Sequence, residues 1–248
     1  MPVEDSIESA VEVMGTAGVS QLVLSAEHAS NGTPSPWSWP SEDGWLQDTH
    51  WAIDRGVDTI LRTLARGLAA PAVFCRFTRL LIDANRNVES PTLILTEAEG
   101  RPVMMNQGVS EAELQRRIEQ LYNPYHARLD AVVGAYPGAA VLSVHSFTPA
   151  LEGAPPRPME VGVLFDEDEE PARHLAAELA ARGWAVALNE PYSGRNGLMY
   201  SVHRHAGQHQ RRSMELEIRQ DVAVDPVRRA RLVQDLLSTL PTCGLYDS

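Results

Sequence analysis

His28, His145 and Glu217 each lie on or just behind a short apolar run, which is how α/β folds carry metal ligands and proton-transfer groups to the rim of a sheet. Gln21 to Ser25 leads to Glu27 and His28, Ala139 to Ser143 leads to His145, and the run from Met214 to Ile218 carries Glu217 itself. Hydrolytic zinc sites take three N or O ligands from the protein and keep one position for water. Two imidazoles at equivalent strand ends supply two of them. The third should be a carboxylate near His28, and Glu27, Asp48 and Asp54 are the candidates. Glu27 and His28 would point to opposite faces of extended backbone. Asp48 opens a helical pattern, where it could face the sheet edge or cap the helix. Asp54 lies further inside that pattern, where a surface or salt-bridged role is the simpler expectation.

Glu217 alternates with Glu215 and Arg219 on one face of its run. Burying such a carboxylate is costly unless it is paired or used, and burial raises its pKa toward the range of a general base. Arginines supply the substrate argument. Arg79, Asp83, Asn85 and Arg86 fall within eight residues at a strand-to-loop transition, where a guanidinium can grip a carboxylate at two points. Arg195 and Arg204, in a later polar stretch, could add to that positive charge.

Positioning these residues requires alternating elements. Strands are predicted over 21–25, 72–75, 79–83, 139–144, 161–165, 185–188 and 214–219, and helices over 48–68, 110–133 with a break at Pro124, 171–182 and 226–240. The Trp-, Gly- and Pro-rich stretch 31–44 reads as an ordered loop whose tryptophans form a lid or wall, and 192–210 as a polar loop closing over the site. The pattern predicts an α/β fold.

Composition narrows the function. The chain has 248 residues, 44% of them hydrophobic, enough to bury a core as one domain over 1–248. A net charge of −12 argues against nucleic acid and anionic membranes as partners and leaves small molecules. All 21 basic residues are arginine, which removes Schiff-base and Walker-type lysine chemistry. Two cysteines are too few for a disulfide framework, and no Gly-x-Ser-x-Gly elbow is present. With an amino terminus unlike a signal peptide, a cytoplasmic location is expected.

Several segments, in order along the chain, carry a resemblance: Glu-His-Ala-Ser-Asn at 27–31, Asp-Thr-His-Trp at 48–51, Arg-Leu-Leu-Ile-Asp-Ala-Asn-Arg at 79–86, Pro-Tyr-His at 124–126, Ser-Val-His-Ser at 143–146 and Glu-Leu-Glu-Ile-Arg at 215–219. Together they resemble the N-formylglutamate amidohydrolase family, itself similar to the zinc carboxypeptidase and aspartoacylase group. The resemblance implies a three-layer α/β/α, zinc carboxypeptidase-like (phosphorylase/hydrolase-like) fold with a mixed central sheet. It implies one divalent ion, Zn2+, held by His28, Asp48 and His145, with Glu217 as catalytic acid/base. Asn85 and Arg86 would bind the substrate carboxylate, with Arg79 and Arg204 beside them, and His126 would have a structural role. The carboxypeptidase group has a glutamate three positions after its first histidine; Asn31 stands there, so the carboxylate ligand must come from elsewhere. The implied substrate is an acidic N-acyl amino acid such as N-formylglutamate. Another N-acyl amino acid or peptide, or noncatalytic carboxylate binding, are the alternatives.

Overall fold

The central strands are buried at every position, and successive side chains enter two apolar interiors in turn, which builds the layers. The computed structural model describes residues 6–7, 10–15, 19–151 and 153–246. Its strands are β1 (Ser6–Ile7), β2 (Val11–Met14), β3 (Leu22–Ala26), β4 (Ala72–Cys75), the small pair β5 (Glu97–Ala98) and β6 (Arg101–Pro102), β7 (Ala140–Phe147), β8 (Val161–Leu164), β9 (Val186–Leu188) and β10 (Ser213–Arg219). Its helices are α1 (Val57–Gly67), α2 (Glu111–Arg117), α3 (Asn123–Ala135), α4 (Glu169–Ala181), α5 (Tyr200–Gln208), α6 (Gln220–Val224) and α7 (Pro226–Thr239). Eight strands form one sheet in the order β1-β2-β4-β3-β7-β10-β8-β9. The inner four, β4, β3, β7 and β10, are parallel, while β2 and β8 join them antiparallel, so the sheet is mixed.

Leu22, Leu24, Leu142, Val144, Leu216 and Ile218 face α1, α4 and α7 on one side. Val23, Val73 and Val141 face α3 and α5 on the other. Helices on both faces of a mixed sheet make the expected three-layer α/β/α fold. Along β3, β7 and β10 the second face turns polar toward the carboxyl ends, through Ser25, Ser143, His145, Glu215 and Glu217, all buried. Chemistry therefore gathers at one end of three adjacent parallel strands.

Three predicted elements differ. The helix expected from Asp48 begins at Val57, because residues 46–54 run in successive turns and Asp54 donates its N–H to the His28 carbonyl at 3.0 Å. Gly56, at φ 86°, sets the start of the helix, and a Cβ there would lie 2.3 Å from the Ala223 carbonyl oxygen. Residues 79–83 form turns rather than a strand, with Leu81 N–H donating to Thr78 O and Arg86 N–H to Asp83 O. The predicted loop 192–210 contains α5, whose Val202 and Ala206, spaced i and i+4, bury against β-sheet and α3 side chains. The break at Pro124 takes the form of a π-turn over 118–122 that ends in α3, with Pro124 in its first turn. No helix among the described residues is long and apolar enough to cross a membrane.

Candidate active site

His28 follows β3, His145 lies near the end of β7, and Asp54 sits in the turn before α1. Nδ1 of His145 is 3.1 Å from Nδ1 of His28 and 3.0 Å from Oδ2 of Asp54, and Nδ1 of His28 is 3.5 Å from the same oxygen. Among the described residues these three form the one cluster with the donors and closeness to hold a metal ion. A tetrahedral ion with bonds of 2.0–2.1 Å spaces its ligands about 3.3–3.4 Å apart, which these three edges bracket. Two ring nitrogens facing each other can share only one proton, whereas a cation satisfies all three atoms. The donor set fits a divalent metal.

The outward nitrogens of both rings are also held. Nε2 of His28 contacts Oδ1 of Asp83 at 2.7 Å, and Nε2 of His145 contacts Oε2 of Glu27 at 2.9 Å. Carboxylates in these places fix ring orientation and tautomer and leave the facing nitrogens for a metal. Asp83 is itself set by the Arg79 guanidinium at 2.7 Å and by the Asn85 N–H at 2.8 Å. Glu27 accepts from Ser25 at 2.9 Å and Tyr125 at 2.8 Å. Replacing Asp83 with Asn should lower metal affinity by about 10–100-fold. Competition against a chromophoric chelator measures this, and a change below about threefold would exclude an orienting role.

The metal-free cluster is strongly polarised. Burial opposes ionisation of Glu27, but the bonds from His145 and Tyr125 outweigh it and bring its carboxyl down to about 2. Burial likewise opposes the charge on Asp54, yet His28 and His145 hold it below the usual carboxylate range. Burial disfavours the His145 cation, but Glu215, Asp54 and Glu27 prevail and raise its pKa well above the ordinary value. Glu217 moves in the opposite direction from Asp54. Burial raises its carboxyl well above the ordinary value, opposed by His145 and reinforced by the charges of Asp54 and Glu215. It pairs in register with His145 across β7 and β10, and its Oε2 is buried without a partner among the described residues. On its other side is Gly162, where a Cβ would lie 2.2 Å from the Glu190 carbonyl oxygen, so the absence of a side chain admits that loop beside Glu217.

These groups open into a cavity of about 370 Å³ also lined by Arg79, Asn85, Arg86, Trp51 and Arg157. Asn85 is fixed by accepting the Ser201 N–H at 2.9 Å. Arg86 donates to its neighbour Asn85 O at 2.9 Å and has no ion-pair partner among the described residues.

The chain matches the family model described as N-formylglutamate amidohydrolase over residues 20–224. It belongs to the N-formylglutamate amidohydrolase family. None of the curated proteins matches it. Among solved structures, it is similar to a gene product of Agrobacterium tumefaciens, with 29% identity, a TM-score of 0.86 and coverage of 95% of each chain. It is also similar to an N-formylglutamate amidohydrolase from Ralstonia eutropha, with 22% identity, a TM-score of 0.71 and coverage of 96% of this chain and 98% of that one. The second likeness concerns the fold.

As a member of this amidohydrolase family, the chain brings together some expected residues and separates others. His28, His145, Glu217, Arg79, Asn85 and Arg86 line one cavity. Asp48 does not join them. It is exposed, 3.4 Å from the Asn31 amide, because the turns through residues 46–54 carry it outward and bring Asp54 inward. Arg204 does not line the cavity and instead donates to Tyr200 OH at 3.3 Å, while Arg195 pairs with Glu169 at 2.5 Å on the exposed surface. Both follow from α5 and its preceding turn, which replace the expected loop. His126 packs among Tyr122, Tyr125 and His205 with its Nδ1 2.9 Å from His205. The sequence suggested Glu27 as a candidate ligand rather than as a buried partner of His145, and it did not single out Asp83 as a partner of His28. Trp37 and Trp39 of the 31–44 loop do not line the cavity: Trp37 donates to Glu113 at 2.6 Å and Trp39 to the Asn31 carbonyl at 2.9 Å, while Trp51, from the turns that follow, does line it.

Proposed function

We propose that this protein is a zinc-dependent amidohydrolase that removes the N-acyl group, N-formyl in the simplest case, from an acidic amino acid such as N-formylglutamate. The triangle of His28 Nδ1, His145 Nδ1 and Asp54 Oδ2 carries the reading, because only a cation satisfies three facing donors. When bound, a divalent ion there polarises the acyl carbonyl, lowers the pKa of water and offsets the negative charge that raises Glu217. Asn85 and Arg86 hold the substrate carboxylate and so fix the amide against the cluster. Glu217 takes a proton from the attacking water and gives it to the amide nitrogen as the carbon–nitrogen bond breaks. Water and amide become a carboxylic acid and an amine, formate and glutamate for the simplest substrate. His28 and His145, clamped by Asp83 and Glu27, cannot turn away during this transfer.

A second reading, a hydrolase of larger N-acyl amino acids, is favoured by the apolar wall of Trp51, Leu80, Leu95 and Leu151 in the same cavity. One experiment addresses both. The purified protein is offered N-formyl-, N-acetyl- and longer N-acylglutamates, with and without prior chelation, and amine release is measured. Activity is expected to fall at least about 100-fold on chelation and to return with one equivalent of Zn2+. Full activity after verified metal removal defeats the metal reading, and inertness of zinc-loaded protein toward the whole panel defeats the amidohydrolase reading.

A further inference from the structure

We infer that Arg157 is a specificity-determining residue that binds a second carboxylate of the substrate, the one on the amino-acid side chain. This rests on the amidohydrolase reading above. Arg79 lies at the cavity, but its guanidinium is committed to Asp83 at 2.7 Å and lies 3.8 Å from Asp54. Arg204 and Arg195 lie elsewhere. Besides Arg79, the arginines lining the cavity are Arg86 and Arg157, and neither has an ion-pair partner among the described residues. A cavity that already contains Asp54, Asp83, Glu215 and Glu217, in a chain of net charge −12, repels an acidic substrate unless free cations face it.

Arg157 is built to serve as such a cation. Its Nη1 donates to the Thr148 carbonyl at 3.1 Å and the Thr148 hydroxyl at 3.2 Å, leaving other guanidinium N–H groups for a ligand. Its Cζ lies over two rings, 5.5 Å from the centroid of Phe147 and 5.6 Å from that of Tyr192, which restrict its rotamers. The backbone beneath is pinned as well. Arg157 N–H donates to Pro149 O at 2.8 Å, and Arg219 Nη1 donates to the carbonyls of Arg157, Pro158 and Met159 at 3.1, 3.3 and 3.2 Å. Arg219 is two residues beyond Glu217 on β10, so the strand that carries the proton-transfer group also sets the segment that carries Arg157. A held guanidinium loses little entropy when it takes a carboxylate.

The test compares N-formylglutamate with N-formylglutamine, which differ by one charge, using the zinc-loaded wild type, Arg157→Met and Arg157→Lys. Arg157→Met should lower the glutamate-to-glutamine ratio of kcat/KM by about 10–100-fold, mainly through KM, and Arg157→Lys should restore part of it. Calorimetric binding of glutarate and butyrate provides a readout independent of turnover. Glutarate should bind at least about tenfold more weakly to Arg157→Met, with butyrate changing by less than about threefold. An unchanged glutarate affinity, equal losses for glutarate and butyrate, or failure of the wild type to bind glutarate overturns the inference. If neither formyl substrate turns over while glutarate binding depends on Arg157, the N-formyl reading fails and the carboxylate site stands.

Discussion

Replacing Glu217 with Gln is expected to lower kcat by about 10²–10⁴-fold while KM and metal stoichiometry stay near wild type, because the amide keeps the shape and loses the transferable proton. The same variant should be more stable than wild type at neutral pH when both are metal-free. Glu217 is buried, its Oε2 has no partner among the described residues, and its pKa stands well above the ordinary 4.5. The folded state therefore retains a proton that the unfolded chain gives up, so folding is penalised as pH rises. That penalty is absent below the unfolded pKa, near 4.5, and grows as pH increases toward the raised folded value. Urea denaturation of the metal-free proteins at pH 4 and pH 7.5 checks the sign. The stability advantage of Glu217→Gln must be larger at pH 7.5, and an equal difference at both pH values would show that the buried carboxylate carries no such cost.

Asp54→Ala should abolish stoichiometric metal binding at micromolar concentrations and turnover with it, whereas Asp48→Ala should leave both near wild type. The loss should exceed the roughly 10–100-fold cost of removing an outer carboxylate such as Asp83, because in the proposed site Asp54 would supply one of three direct donors. Titration of each metal-free variant with zinc separates the two aspartates, and retention of a full equivalent by Asp54→Ala would return the ligand role to another residue. The pH dependence of the wild type follows from His145. Its pKa is raised by Glu215, Asp54 and Glu27 against burial, so a metal must displace its proton. Zinc affinity should thus rise with pH, up to about tenfold per unit, until the raised pKa is passed. In the Asp54→Ala variant one of the charges holding that proton is absent, and its remaining affinity should depend less steeply on pH.

Asp48 and Asp54 illustrate where the sequence was legible and where it was not. Both lie near His28 in sequence, Asp48 opening the helical pattern and Asp54 further inside it. The choice depended on where the chain turns, and Gly56 backed against Ala223, 167 residues away along the chain, is a contact that local pattern does not contain. The same reason explains Arg204 and Arg195. Their stretch is polar, but Val202 and Ala206 find a buried face against the sheet and α3, so a helix forms and carries Arg204 away from the cavity, while Arg195, in the turn before it, pairs with Glu169. Arg157 was missed because it stands in a Pro-rich loop, and the contact with Arg219 that brings it to the site joins distant parts of the sequence.

The sequence by itself determined the alternating pattern, the strands that carry His28, His145 and Glu217, and the two-residue period that gives their face to polar groups. These are local properties, since side-chain direction along a strand follows from backbone geometry. Only the tertiary structure decided which carboxylate meets the two imidazoles, that Asp83 and Glu27 orient them, and which arginines remain free to meet an anion. Those choices depend on side chains from β3, β7, β10 and the turns around residues 54 and 83 meeting in one buried volume, where each charge must be matched by a partner because water is excluded.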